Sequence, residues 1–285
     1  AALSARTANY LRALGVGKGD VVLLILRRRW EYWVAANAVH KLGAVLIPGS
    51  LQLTQKDLVY RANAAGIKAI IAVDDPFVVG QVEAAQPNAP SLTVKILVGG
   101  ERDGWGNFEK IYEFPDQIER VKNHVKDTFL IYFTSGTTGM PKMVRHDFSH
   151  PLGHIVTAKY WQCVKEDKLH MSVSDSGWAK FGWGKIYGQW LCGAVIFAYD
   201  MDKFVPKNLL QKIQDYKLTT FCAPPTMYRF MLTEDVSAYD LSPVERWSLA
   251  GEPLNPEIFR KWEALTGKKM AEGFGQSESS VMLAN

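Results

Sequence analysis

At 285 residues, 47% apolar and 22% charged, the chain can bury a core large enough for one big domain or two linked ones, which excludes disorder and collagen-like structure. Thirty-three basic residues against 29 acidic ones give a net charge of +4 without the long basic block that tracks nucleic acid. The densest basic cluster, "LRRRW" at 26–30, reads as the solvated start of a helix.

In chain order, "AALSARTANYLRALG" predicts an amphipathic helix, "DVVLLIL" a buried strand, and "RRRWEYWVAANAVHKLG" a helix closed by Gly43. "AVLIP" is the next strand, followed by a helix from Thr54 to Gly66 with Thr54 as N-cap and Asp57 three residues on. "KAIIAV" and "VKILVGG" predict further strands, and 99–126 reads as a surface connection. After the strand "FLIYF" come a helix near "WGKIYGQWL", a strand "AVIFAY", a helix "PKNLLQKIQDY", a strand "TTFCA" and a helix "PTMYRFML". The strand "WSLAG", the helix "PEIFRKWEALTG" and the strand "KKMAEG" complete the series. Short β-branched runs alternating with helices predict an α/β fold of layered parallel sheets flanked by helices.

No apolar run approaches the ~18 residues a membrane-spanning helix needs, and the first residues lack a signal-peptide pattern. Cys163, Cys192 and Cys222 are far apart among apolar or aromatic neighbours. They read as free thiols in a reducing, cytoplasmic setting, with neither a disulfide frame nor a zinc site. The chain opens at Ala1 within a predicted helix and without an initiator methionine, so a preceding segment is expected and an organelle-targeting leader stays open.

"TSGTTGMPK", 134–142, carries the chemistry. Thr134, Ser135, Thr137 and Thr138 offer hydroxyls, Gly136 and Gly139 permit close backbone approach, and Lys142 adds a point charge, the inventory of a polyphosphate loop. The G-x-x-x-x-G-K-[ST] phosphate loop of nucleotide hydrolases does not fit: Pro141 stands at its second glycine, Met143 follows Lys142, and "MVRHDF" does not read as a long helix.

The whole string "YFTSGTTGMPK" resembles the signature loop of the adenylate-forming superfamily, which comprises acyl-CoA synthetases, luciferases and peptide-synthetase adenylation domains. "LAGEPLNPE", 249–257, resembles that family's adenine-lining segment, and "EGFGQSES", 272–279, its Y-G-Q-T-E motif. Both follow predicted strands, where open α/β sheets bind ligands. Met143, "IPGSLQLTQKDLVYR" and "SDSGWAKFGWGKIYGQWLCGA" are similar to the medium-chain acyl-CoA synthetase branch, so the resemblance covers nearly the whole chain.

The resemblance implies a large AMP-binding domain. One subdomain, at about 20–150, would carry the phosphate loop; another, at about 151–285 together with 1–19, would carry the adenine and magnesium motifs. By position, Thr134, Ser135, Gly136, Thr137, Thr138, Gly139, Met140, Pro141 and Lys142 would hold the ATP phosphates, with Lys142 and Thr138 catalytic. Gly251, Glu252 and Pro253 would flank adenine with Glu272, Gly273 and Phe274. Gly275, Gln276 and Ser277 would lie along the adenylate and the acyl carboxylate, Glu278 would ligate magnesium, and Gln52 would contact coenzyme A. Phe274 replaces the family's tyrosine but keeps a ring for adenine, and Ser277 replaces threonine but keeps the hydroxyl.

The implied reaction is ATP-dependent activation of a small carboxylic or fatty acid to an acyl-adenylate and then to acyl-CoA, releasing pyrophosphate and AMP. Such chemistry must stabilise charge more than move protons, which suits Lys142, loop amides and magnesium. Two alternatives remain open: an adenylate-forming ligase with another acceptor, such as a carrier protein, and a non-catalytic adenine-nucleotide module. The aromatic run at 178–190 reads either as core packing or as an acyl-pocket wall, with Trp178 and Trp183 the candidates.

His146, His150 and His154 fall at i, i+4, i+8, a spacing that could bind zinc, but Pro151 interrupts the helix it requires and a partly buried histidine cluster is the plainer reading. The family continues into a ribose-binding aspartate and a small C-terminal lid domain with a catalytic lysine. The 285 residues are therefore expected to be a central fragment of the large domain, inactive alone. Acyl chain length and oligomeric state are not readable.

Overall fold

The alternation of strands and helices resolves into two sheets, one in each of two units. In a computed structural model describing residues 1–134, 139–201 and 203–285, the first unit comprises Ala1–His150 with Ser176–Trp178. The second comprises Pro151–Asp175 with Ala179–Asn285. Among the described residues no helix is long and apolar enough to cross a membrane.

The first unit's strands are β1 (Val21–Ile25), β2 (Val45–Pro48), β3 (Ile67–Val73), β4 (Val94–Val98), β5 (Gly106–Asn107), β6 (Thr128–Thr134) and β7 (Lys142–Asp147). They lie in the order β5-β4-β3-β1-β2-β6-β7, parallel except for β6 with β7. Period-2 alternation splits β1 between two buried faces. Val21, Leu23 and Ile25 meet Leu58 and Ala62 of α3 (Gln55–Ala65) and Val78, Val79 and Val82 of α4 (Pro76–Ala85), while Val22 and Leu24 are buried on the other face. Helix α2 (Trp30–Lys41) packs on β1 and β2.

Helix α1 (Ala2–Ala13) belongs to this first unit and not, as expected from sequence, with 151–285. Arg6 donates to the carbonyls of Tyr112 at 3.1 Å and Phe114 at 2.6 Å, and Tyr10 packs on Phe114 at 5.3 Å. Contacts across a hundred residues leave no local signal. For the same reason the segment 99–126 is more ordered than expected: β5 extends the sheet, and Trp105, Phe108 and Ile111 are buried.

Helix α3 carries the full capping box read from its sequence, with Thr54 and Asp57 satisfying each other's backbone amides. Helix α4 escaped prediction because its valines and Gly80 are weak helix formers; Asp75 starts it by accepting from the amides of Phe77 and Val78 at 3.0 and 3.3 Å.

The second unit holds β8 (Leu169–Ser172), β9 (Val195–Ile196), β10 (Thr220–Ala223), β11 (Arg246–Ala250), β12 (Met270–Gln276) and β13 (Ser280–Ala284). Their order is β13-β12-β11-β10-β8-β9, parallel except for β12 with β13. One face is covered by α8 (Pro206–Asp215), α9 (Pro225–Met231) and α10 (Pro256–Thr266). There Trp247 stands edge-on to Trp262 at 5.0 Å and to Phe221 at 5.6 Å, and Tyr228 to Trp262 at 4.9 Å; each such pair adds about 0.5–1.5 kcal/mol beyond the area it buries. On the opposite face Trp161 and Trp183 cover Cys222, Ala250 and Ala271.

Three details differ from the sequence reading. The helix expected near 183–191 is two, α6 (Ala179–Lys185) and α7 (Tyr187–Leu191), broken at Ile186, where φ is −125° and ψ −74°. The strand at 194–199 shrinks to β9, and α5 (His150–Val156), β8 and β13 were not anticipated.

His170 on β8 is fully buried between the Thr220 hydroxyl and the Gly184 carbonyl, each at 2.8 Å. Burial, aided by the Lys185 charge and opposed by the bond to Gly184, lowers its pKa to about 4. Because the unfolded chain takes up this proton first, the stability involved is complete above an unfolded pKa of about 6.5 and drains away as pH falls toward 4. Thermal melts are expected to show a drop across that window, smaller in His170→Gln; an identical drop in both would disprove the assignment.

Candidate active site

The predicted phosphate loop joins β6 to β7, two antiparallel neighbours, so it lies at a hairpin tip. Thr134 pairs directly with Lys142 at the last rung. Ser135, Gly136, Thr137 and Thr138 lie outside the described residues. Gly139, Met140 and Lys142 are exposed, and the Lys142 ammonium has no ion-pair or hydrogen-bond partner among the described residues. The Pro141 carbonyl accepts from the Tyr60 hydroxyl at 2.8 Å. Gln52 lies exposed in the connection from β2 to α3, its amide donating to the Ser50 hydroxyl at 3.3 Å.

In the second unit, Gly251, Glu252 and Pro253 directly follow β11, beyond its carboxyl end. Two carboxylates shape this loop. Glu252 caps the start of α9, accepting from the Thr226 amide at 3.2 Å and from its hydroxyl, and Glu272 on β12 accepts from the Leu254 amide at 3.2 Å. Phe274 pairs with Leu283 and leaves its ring 54% exposed.

Both glycines of this strand are sterically required. A Cβ on Gly273 would lie 2.5 Å from the Trp161 ring, and one on Gly275 would collide with the Ser280 carbonyl oxygen. β12 continues through Gln276, which pairs with Ser280, so Ser277, Glu278 and Ser279 form the turn into β13. Glu278 is exposed and has no hydrogen-bond or ion-pair partner among the described residues. Two of the three predicted motifs thus lie on the antiparallel hairpins that end their sheets, β6–β7 and β12–β13, whereas Gly251, Glu252 and Pro253 follow the interior strand β11.

The family model for AMP-binding enzymes matches residues 1–285. The chain belongs to the AMP-binding enzyme family. Human (Homo sapiens) acyl-coenzyme A synthetase ACSM4, mitochondrial, is 36% identical over 287 residues, covering 99% of this chain and 49% of the relative. Human acyl-coenzyme A synthetase ACSM5, mitochondrial, is 37% identical over 286 residues with the same shares. The chain spans about half the length of these relatives.

Among solved structures, the anthranilate CoA ligase AuaEII in complex with anthranoyl-AMP has the same fold, with a TM-score of 0.93 at 24% identity over 100% of this chain and 55% of that one. An acyl-CoA synthetase of Brucella canis gives 0.90 at 24% identity, over 100% and 52%.

In this family member the aromatic candidates part company. Trp183 is 8% exposed and packs on Trp161 at 5.8 Å, whereas Trp178 is 62% exposed and groups with the first unit. The histidine trio does not share a helical face: His146 is on β7, its ring 4.0 Å from that of His150, while His154 is buried in the second unit with Nε2 3.3 Å from the Ser280 hydroxyl. Among the described residues no group of three His, Cys, Asp or Glu side chains could hold a metal.

Sequence reading missed Lys180. It is 6% exposed on α6 and donates to the Ala250 carbonyl at 2.8 Å, next to the Gly251 loop. Burial holds its ammonium below the ordinary lysine range, with Cys222 and Glu252 pulling the other way. The signal was available in "GWAKFGWGK", where Lys180 and Lys185 interrupt an otherwise apolar run that the helix turns inward.

Proposed function

We propose that the protein is an AMP-forming acid–thiol ligase that activates a carboxylic acid with ATP and passes the acyl group to coenzyme A. The observation that carries this reading is the hairpin-borne loop with an exposed, uncommitted Lys142, together with the two adenylate motifs following in family order on one chain. In the first step the substrate carboxylate attacks the α-phosphate of ATP and pyrophosphate leaves. Thr134 to Lys142 surround the departing phosphates with amides, hydroxyls and one cation, in a site that stabilises charge.

Gly251 to Pro253 and Glu272 to Phe274 flank adenine, while Gly275, Gln276 and Ser277 follow the adenylate. In the second step the thiol of coenzyme A, guided by Gln52, attacks the acyl carbonyl and AMP leaves, with no protein nucleophile needed. Magnesium, when bound, neutralises phosphate charge; a single uncommitted carboxylate, Glu278, fits an ion that takes one or two carboxylates plus phosphate oxygens and waters. Trp183 bounds the acyl chain of a fatty acid.

The free thiols of Cys163, Cys192 and Cys222 suit a reducing aqueous compartment. That is the cytoplasm or, as the names of the human relatives suggest, the mitochondrial interior. The test is exchange of labelled pyrophosphate into ATP by the full-length protein across acids from acetate to decanoate and benzoate. At least one acid is expected to support exchange, and if none does the ligase reading fails.

A further inference from the structure

Two successive residues of α3 grip the phosphate loop at both of its roots. On the outgoing side, the Tyr60 hydroxyl donates to the Pro141 carbonyl at 2.8 Å. On the incoming side, the Arg61 guanidinium lies 4.7 Å from the ring centre of Phe133, the residue before Thr134, and the Tyr60 ring meets the same phenylalanine edge-on at 6.2 Å. The same guanidinium also feels the Asp57 carboxylate one turn back on α3, and its Nε is buried without a hydrogen-bond partner among the described residues.

Met140, inside the loop, lines an open groove together with Val59, Tyr60 and Asn63 of the same helix. The helix is itself anchored at several points. Its start is fixed by the capping box, and its flank is fastened by Gln55 donating to the Ala84 carbonyl and Asn63 to the Asn88 carbonyl, both at 2.9 Å.

We propose that Tyr60 and Arg61 are positioning residues for nucleotide activation, holding the two roots of the phosphate loop at the spacing that receives the phosphates of ATP. The inference rests on the ligase reading of the loop, and it adds a control that lies outside the loop. The two contacts lie on the described residues at either end of the loop, Phe133 on β6 and Pro141 just before β7.

The test uses the full-length protein. Tyr60→Phe removes the bond to Pro141 but keeps the ring against Phe133, so the fold is retained. It is expected to raise the KM for ATP in pyrophosphate exchange about fivefold, the worth of one neutral hydrogen bond. The KM for the acid, and the transfer of a pre-made acyl-adenylate to coenzyme A, should stay at wild-type values. Arg61→Lys keeps the charge but loses the planar stack, and is expected to shift the same ATP parameter.

Wild-type ATP parameters in both variants would overturn the proposal. So would a uniform loss of every parameter with a lowered melting temperature, which marks a merely structural role. If the wild-type protein itself supports no exchange, the ligase reading has failed and the proposal falls with it.

Discussion

Lys142→Ala is expected to lower ATP–pyrophosphate exchange by the full-length protein by about 100-fold or more, the usual effect of deleting one donor aimed at developing charge. The lysine opens β7 opposite Thr134, where its backbone serves the ladder and its side chain leaves the hairpin free of any ion pair among the described residues. Truncation therefore removes a cation without removing a structural contact, and the melting temperature should hardly move. Transfer of a pre-made acyl-adenylate to coenzyme A should continue at near wild-type rate, since pyrophosphate has already gone. Lys142→Arg should recover part of the exchange, because the charge returns with different geometry. Unchanged exchange in the alanine variant would remove Lys142 from the reaction.

Gly275→Ala is expected to cost about 100-fold in the same exchange, through displacement of the turn that carries Glu278. The added methyl would collide with the Ser280 carbonyl oxygen and lie 2.9 Å from the Val281 Cα. Both are backbone atoms of β13, with no side chain to rotate away. The hairpin must open between its last two rungs, and the displaced residues are Ser277 and Glu278. Crowding of this kind costs about 1–3 kcal/mol, so the melting temperature should fall as well. A variant with normal melting and normal exchange would contradict the register described for β12 and β13.

What was legible in the sequence was whatever depends on near neighbours. The capping box of α3 needs only Thr54 and Asp57, and the buried strands announce themselves through runs such as "VVLLI". The candidate motifs stand out in the sequence for the same reason, as contiguous strings close to strand ends. Contacts between distant segments were not legible. The hold of Arg6 on Phe114 ties α1 into the first unit across 108 positions, and the Tyr60 bond to Pro141 spans 81. Short elements failed differently: β9 and β13 are too brief or too near a turn for period-2 alternation to register, and α4 is built from valines that favour strands. The lysines of α6 drew no reading because attention went to the aromatics around them, whereas helical rotation carries Lys180 and Lys185 inward.

The edge position of the two hairpins bears on how the molecule breathes. β7 and β13 each have a strand neighbour on one side only, whereas β1 and β11 are flanked on both. Local opening draws on the least protected part of a sheet, so amide protons of β7 and β13 should exchange with solvent sooner than those of β1 and β11. Opening at these rims would break only the few ladder bonds of one edge strand while the parallel interior keeps its protons.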